Sequence, residues 1–407
     1  MRESPLSHAL TIATVVLVVA MVAYPETAFA AAVAGMKVWW DVVFPALLPF
    51  FVGAQVLMAL GVVHFMGVLM EPFMRPLFNV PGSGSFVVAV GLASGYPLGA
   101  VITARMRRDG LVSKTEAERL MSFSNTADPL FMAGAVAVGM FGDPRVAGCL
   151  MLAHYAGALL TGLVLRFWKA GADRSPALPA GDGWLPARAW RAMVNARRQD
   201  GRPFGQVLGD SVKDSIQTLL LVGGLIILMS VILQVLDRAG ILRALGGLFL
   251  LLLHPLGLDP ALAPSLISGL FELTLGSQAA GTAPAPLADR LIVASAIIAW
   301  SGLSVHAQVA AILQGTDLSI APYIGARVVH AIGAGAVAAI LLHLWPLPET
   351  AAALPAVAWA TPGPAGWWAR LGSAALHLSL ALAALLAGAF VSNAVRVSIH
   401  RSARGPR

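Results

Sequence analysis

The sequence predicts an all-α polytopic membrane protein made of two inverted repeats, each holding a re-entrant helical hairpin and a broken transmembrane helix. Three observations carry this. First, the chain has 407 residues, of which 58% are hydrophobic and only 12% charged, whereas a soluble domain is about a quarter charged. Second, many apolar runs approach or exceed the roughly 20 residues that cross a bilayer core. They do not alternate apolar with polar residues, as a β-barrel would. Third, a passage occurs twice in loosely similar form. One copy holds Gly91-Leu92-Ala93-Ser94-Gly95-Tyr96-Pro97-Leu98-Gly99, then Ser124-Asn125-Thr126-Ala127-Asp128-Pro129, then a span entered near His154. The other holds Gly269-Leu270-Phe271-Glu272-Leu273-Thr274-Leu275-Gly276-Ser277, then Trp300-Ser301-Gly302-Leu303-Ser304-Val305-His306, then a span entered at His330. Gly91 precedes His154 by 63 residues and Gly269 precedes His330 by 61. Apolar hairpins followed by spans with polar interruptions mark transporter cores built from repeats.

The elements follow in order. Residues 1–37 carry an N-terminal transmembrane segment, apolar over 6–24. Ala28-Phe29-Ala30 resembles a signal-peptide cleavage site, but Arg2 alone precedes the run, so a retained span is preferred. Residues 38–168 are the first repeat. It has a span at 38–62 bent at Pro45 and Pro49, an amphipathic surface helix at 64–80 and a hairpin at 85–104 broken by Gly91, Gly95, Pro97 and Gly99. A basic loop at 105–119, a broken span to 141 and an intact span at 146–167 complete it. Residues 169–213 form a basic cytoplasmic connector with a short helix near 186–198. The second repeat, 214–345, runs as span (214–236), surface segment (237–258), hairpin (261–281), broken span (291–313) and span (320–345). Residues 346–407 hold an external loop, a last span at 370–391 and a basic cytoplasmic tail. Trp39, Trp40, Trp345, Trp367 and Trp368 fit an interfacial aromatic belt.

Charge placement sets the orientation. With the N-terminus inside and each hairpin returning to its own side, 20 basic residues lie inside, 6 outside, and Arg327 within a span. That bias follows the positive-inside rule. It makes hairpin one enter from the cytoplasm and hairpin two from outside, so the copies are inverted. It also accounts for the net charge of +7 without nucleic acid as a partner. The single cysteine, Cys149, excludes a disulfide framework. Phosphate-cradling loops with Lys, His-Glu-x-x-His and Gly-x-Ser-x-Gly do not occur, so the chain is not read as an enzyme and ATP-driven pumping is not expected.

Several residues are placed to bind. At the first tip, half-helices meeting at Ser94, Gly95 and Tyr96 would turn free N–H groups toward a cavity, an anion site; the alternative is that the glycines only allow close helix packing. Pro129 frees nearby carbonyls, so Ser124, Asn125, Thr126 and Asp128 could coordinate a ligand or cation. The alternative is that the hydroxyls satisfy their own helix. Glu272 is an acid in the middle of an apolar hairpin, with Thr274 beside it. An intramembrane carboxylate is a functional candidate for substrate, a coupling proton or a cation, or else a structural partner of Arg327 or His330. Ser301, Ser304 and His306 line the second break; His306 either titrates or packs against backbone. His154 and His330 are expected to hydrogen-bond between helices. No cofactor is expected beyond a coupling Na+ or H+, with Glu272 and Asp128 as the residues to carry it.

These motifs, with Trp39-Trp40-Asp41-Val42-Val43-Phe44-Pro45 and Pro76-Leu77-Phe78-Asn79-Val80-Pro81-Gly82, resemble the YlbJ/SpoVV family of sporulation integral membrane proteins. The resemblance spans about residues 39–345. It implies a nucleoside-recognition (Gate) domain, distantly related to concentrative nucleoside transporters, and a substrate held between hairpin tips and broken spans. It implies a bacterial multi-pass protein of the outer forespore membrane that moves dipicolinate by alternating access. Glu272 falls where the nucleoside transporters have a ribose-binding acid. The first tip, Ser94-Gly95-Tyr96-Pro97, lacks their Gln/Thr/Glu-type side chains, which suits a dicarboxylate better than a nucleoside. The alternatives are an ion-coupled nucleoside carrier and a non-transporting sporulation scaffold or receptor. The lipid bilayer and a small molecule are the expected partners, and a homo-oligomer is compatible with the sequence.

Overall fold

The computed structural model describes residues 5–176 and 184–345; the loop, span and tail expected over 346–407 lie outside them. The described residues form sixteen α-helices and no strand. Four helical segments among them are long and apolar enough to cross a membrane, or six if two bent pairs each count as one span.

Helix α1 (Pro5–Ala23) turns by 104° into α2 (Pro25–Val38). Pro25 has no N–H to continue the α1 ladder, and a proline at a first helical position starts a new helix well. Helix α2 then runs through a π-helical turn, Trp39–Val43, into α3 (Phe44–Ala59). Residues 25–37, beyond the apolar run of 6–24, are therefore helical as well. They pack with α3 along α10 (Phe204–Arg238). Trp39 is a contact between these helices and not a belt residue. It is 9% exposed, its Nε1–H donates to the Leu219 carbonyl at 2.9 Å, and its ring lies against Gly223. Trp40 and Trp345 are exposed, as a belt requires.

Helix α4 (Val62–Phe78) leaves α3 at 79° after Gly61, whose φ is +82°. It packs against α9 (Leu185–Asp200), the short helix of the connector. The first hairpin is α5 (Gly84–Ser94) and α6 (Leu98–Arg108). The expected basic loop is largely helical, since α6 extends to Arg108 and α7 (Lys114–Ser124) starts on a Ser113/Glu116 capping box. Side chain and backbone satisfy each other's end groups there. Three charges of α7 are buried: Glu116 receives Arg75 Nη1 at 2.9 Å, Glu118 Oε1 receives the Ser319 N–H at 2.9 Å, and Arg119 donates to the Trp168 and Asn79 carbonyls. After α7 the chain is non-helical over 125–128, resumes as a π-helical segment (Phe131–Met140), and returns as α8 (Ala147–Leu165).

Helix α10 begins at Phe204, inside the stretch expected to be connector. Helices α11 (Ile241–Leu253), α12 (Ala263–Phe271), α13 (Leu273–Thr282), α14 (Leu287–Trp300), α15 (Gly302–Ile312) and α16 (Ala321–Leu344) follow. Span, surface helix, hairpin, broken span and span thus recur in the same order in both copies.

Contacts sort the elements onto two faces. On one, Arg107 at the end of α6 binds Asp317 with two hydrogen bonds (3.0 and 2.9 Å), and Glu118 holds Ser319. On the other, Gly281 at the end of α13 lies against Met140, and Arg290 donates to the Ala280 carbonyl while covering Phe141. Hairpin one opens on the first face and hairpin two on the second, so the copies run in opposite senses. Helices α8 and α16 cross at the centre, where Gly157 lets Ala334 and the His330 ring approach. Small residues at such crossings let backbones close on one another without a hydrophobic drive.

Candidate functional site

Both hairpin tips and both helix breaks meet at one buried junction. Each tip packs on the break of its own copy because a glycine leaves room. A Cβ at Gly91 would run into the Ser124 carbonyl, and one at Gly99 would lie 2.9 Å from Asn125 Cα. Gly95, at φ +77°, faces the Asp128 carboxylate, with the position of an added Cβ 2.6 Å from Oδ2. In the second copy Gly302, at φ +75°, lies against Phe271 and Glu272, and Trp300 Nε1 donates to the Leu270 carbonyl at 3.0 Å.

The acids at these places act as caps in this conformation. Asp128 Oδ1 accepts the Phe131 N–H at 2.8 Å, and Glu272 Oε2 accepts the Leu275 N–H at 2.7 Å. Each carboxylate therefore neutralises the positive N-terminal end of the half-helix that follows it. Thr274 sits in the first turn of α13, after that cap. Neither Arg327 nor His330 pairs with Glu272: among the described residues their hydrogen bonds go elsewhere. The free N–H groups expected at the first tip are in part taken up within the hairpin, where the Gly95 N–H donates to the Gly91 carbonyl (3.1 Å) and the Leu98 N–H to the Gly95 carbonyl (3.2 Å), and the Asp128 carboxylate beside Gly95 is a poor neighbour for an anion.

Arg327 ties the copies together. It lies in α16, is 0% exposed, and has no carboxylate within ion-pairing distance among the described residues. Nη1 donates to the Asn125 carbonyl (3.0 Å), the Ala299 carbonyl (3.4 Å) and the Tyr96 hydroxyl (3.3 Å), and Nη2 donates to the Ser122 carbonyl. The acceptors are the C-terminal carbonyls of α7 and α14, the negative ends of two half-helices. Helix α7 ends where Asn125 turns extended, and α14 ends at the αL residue Ser301 (φ +70°). Tyr96 also donates to the Ile298 carbonyl (3.0 Å), so the first tip touches the second break directly. Asn125 Nδ2 donates to Tyr323 Oη at 3.0 Å.

The hydroxyls divide. Ser122 and Ser124 return to carbonyls of their own helix at 2.6 Å, and Ser304 accepts from Gln308 at 3.4 Å. Ser94 and Thr126 are buried with hydroxyls that no protein group meets, and the buried Ser301 hydroxyl lies by that of Tyr96. Buried polar atoms are normally satisfied, so these hydroxyls make the junction the candidate site for a polar ligand. His306 Nδ1 contacts the Gly302 carbonyl (2.7 Å), its ring lies between Trp300 and Tyr323, and Nε2 has no partner. His154 Nε2 accepts the Ala127 N–H at 3.0 Å, and His330 Nε2 meets the His154 carbonyl at 2.8 Å. This is the interhelical bonding expected of the histidine pair. Tyr155 donates to the Ala127 carbonyl, so much of the backbone freed by Pro129 is already occupied by side chains.

The architecture is that of a polytopic helical membrane protein with a buried polar junction at paired helix discontinuities. The model for the Gate family, described as nucleoside recognition, matches residues 40–144 and 219–399. The chain belongs to this family. It is 42% identical over 339 residues to the sporulation integral membrane protein YlbJ of Bacillus subtilis (strain 168), covering 81% of this chain and 80% of that protein. Among solved structures it is similar to CNTnw in an outward-facing state, with a TM-score of 0.41, 14% identity, and coverage of 84% of this chain and 88% of the other. The inward-facing, substrate-bound state of CNTnw gives a TM-score of 0.41 with 85% and 88% covered.

Proposed function

We propose that this protein is a secondary transporter that works by alternating access and carries a small aromatic dicarboxylate, dipicolinate, across the outer forespore membrane during sporulation. The observation that carries the reading is the convergence of two tips and two breaks on one buried junction, where the Ser94 and Thr126 hydroxyls have no protein partner. Non-helical backbone at membrane depth needs protein or a wet cavity around it, and a scaffold has no use for such a junction. The similarity to a sporulation membrane protein supports the setting. The buried guanidinium of Arg327, with no carboxylate in ion-pairing distance among the described residues, favours an anion over a nucleoside.

A nucleoside is the second reading, favoured by the family's description and by Glu272 at the second tip. Alternating access would pass the junction from one face to the other as each hairpin leaves its break. Uptake into proteoliposomes decides, with dipicolinate and uridine side by side. Dipicolinate should accumulate and uridine should not compete. Uridine uptake alone selects the nucleoside reading, and uptake of neither selects a scaffold or receptor.

A further inference from the structure

Arg327 is more than a clamp. A guanidinium has five N–H donors in a planar fork. Here Nε has no partner although buried, and Nη2 has one acceptor, the Ser122 carbonyl, for its two hydrogens. A fully buried cation without a counter-charge is costly, and an intramembrane charge that no acid neutralises marks a ligand path. The two acids nearest the junction by sequence, Asp128 and Glu272, are engaged as helix caps. The hydroxyls of Ser94 and Thr126 supply further buried donors around the same junction.

From this geometry we infer that Arg327 is the anchor for a carboxylate of the substrate. The Nε edge receives the carboxylate oxygens, while Nη1 stays bound to the Asn125 and Ala299 carbonyls. Two planar N–H donors match two carboxylate oxygens, a geometry that lysine does not offer. The same residue would then report occupancy to both breaks and, through Tyr96, to the first tip. This inference rests on the transport reading above and adds the residue that selects for negative charge.

The test is equilibrium binding of pyridine-2,6-dicarboxylate to the purified full-length protein, in competition with the corresponding diamide. The wild type should prefer the dicarboxylate by about 30-fold or more, as expected when a buried charge pair loses one partner. The preference should hold from pH 6 to 9, because arginine stays charged. His154, His306 and His330 also face the junction, and a preference that fades within that range would belong to a titrating neighbour and overturn the inference. Arg327→Gln should lose the preference, and Arg327→Lys should recover only part of it. A folded Arg327→Gln protein that keeps wild-type affinity and preference makes Arg327 a structural clamp and overturns the inference. If that variant does not fold, the wild-type comparison still decides, since equal binding of dicarboxylate and diamide overturns it. Binding of uridine with neither pyridine compound would instead overturn the dicarboxylate reading itself.

Discussion

Replacing Gly302 by alanine tests the packing of the second tip on the second break. Gly302 has φ +75°, and a Cβ there would lie 2.8 Å from the Phe271 carbonyl oxygen and 3.0 Å from Glu272 Cα and N. These neighbours are backbone, so relief requires the tip to move. Gly315 supplies the control: its φ is +76°, and nothing lies within 4 Å of the added carbon. Gly315→Ala should cost only the left-handed strain, about 1–2 kcal/mol. Gly302→Ala carries the same strain plus overpacking of about 1–3 kcal/mol, for a total of about 2–5 kcal/mol. Unfolding in mixed micelles titrated with a denaturing detergent would measure both, and uptake assays would follow transport. Gly302→Ala should also slow transport, because a displaced tip no longer seals its break. Equal destabilisation by the two substitutions would refute the tip-on-break contact.

Other outcomes follow from named contacts. Glu272→Gln keeps an acceptor for the Leu275 N–H and should stay within about 0.5 kcal/mol of wild type, whereas Glu272→Ala should lose about 1 kcal/mol as a lost cap; if Glu272 also carries a coupling proton or cation, the Gln variant binds substrate but its transport no longer responds to pH or the cation. In a Cys149→Ser background, a cysteine at Thr316 should be labelled from the same side as one at Asp173, and a cysteine at Gly142 from the opposite side; labelling of all three from one side would overturn the inverted arrangement. The Asp317 carboxyl is held below the usual carboxylate range by its hydrogen bonds to Arg107. A lowered folded-state value means the contribution is present above the unfolded value and fades as pH falls through the folded one. Because the pair is exposed, Asp317→Asn should cost under about 1 kcal/mol at neutral pH, with the difference from wild type vanishing on acid titration.

Much of the architecture was legible in the chain because membrane helices are written in composition. Runs of apolar residues give the spans, Gly91 to Gly99 and Gly269 to Gly276 give the hairpins, and Pro129 and the Ser301-Gly302 pair give the breaks. Counting Lys and Arg gives the orientation that the cysteine labelling would test. Helix ends were less legible. Residues 105–119 read as a basic loop by charge, yet Glu116, Glu118 and Arg119 are buried in helical pairings that a linear sequence does not display. Trp39 read as a belt residue for the same reason: its partner, Leu219, lies 180 positions away.

The candidate site divides along the same line. Sequence alone determined which residues are polar where the surroundings are apolar, and so picked out Asn125, Asp128, Glu272, Ser301 and His306. It could not determine their partners, because a charge at membrane depth is satisfied by whatever element packs beside it. Arg327 was visible as a charge within a span, but only as a prospective partner for Glu272. Tertiary structure turned Asp128 and Glu272 into caps of the half-helices they precede and brought the broken ends of α7 and α14 to one guanidinium. Carbonyl acceptors leave no trace in sequence, since every residue has one. Only the folded backbone decides which of them are free.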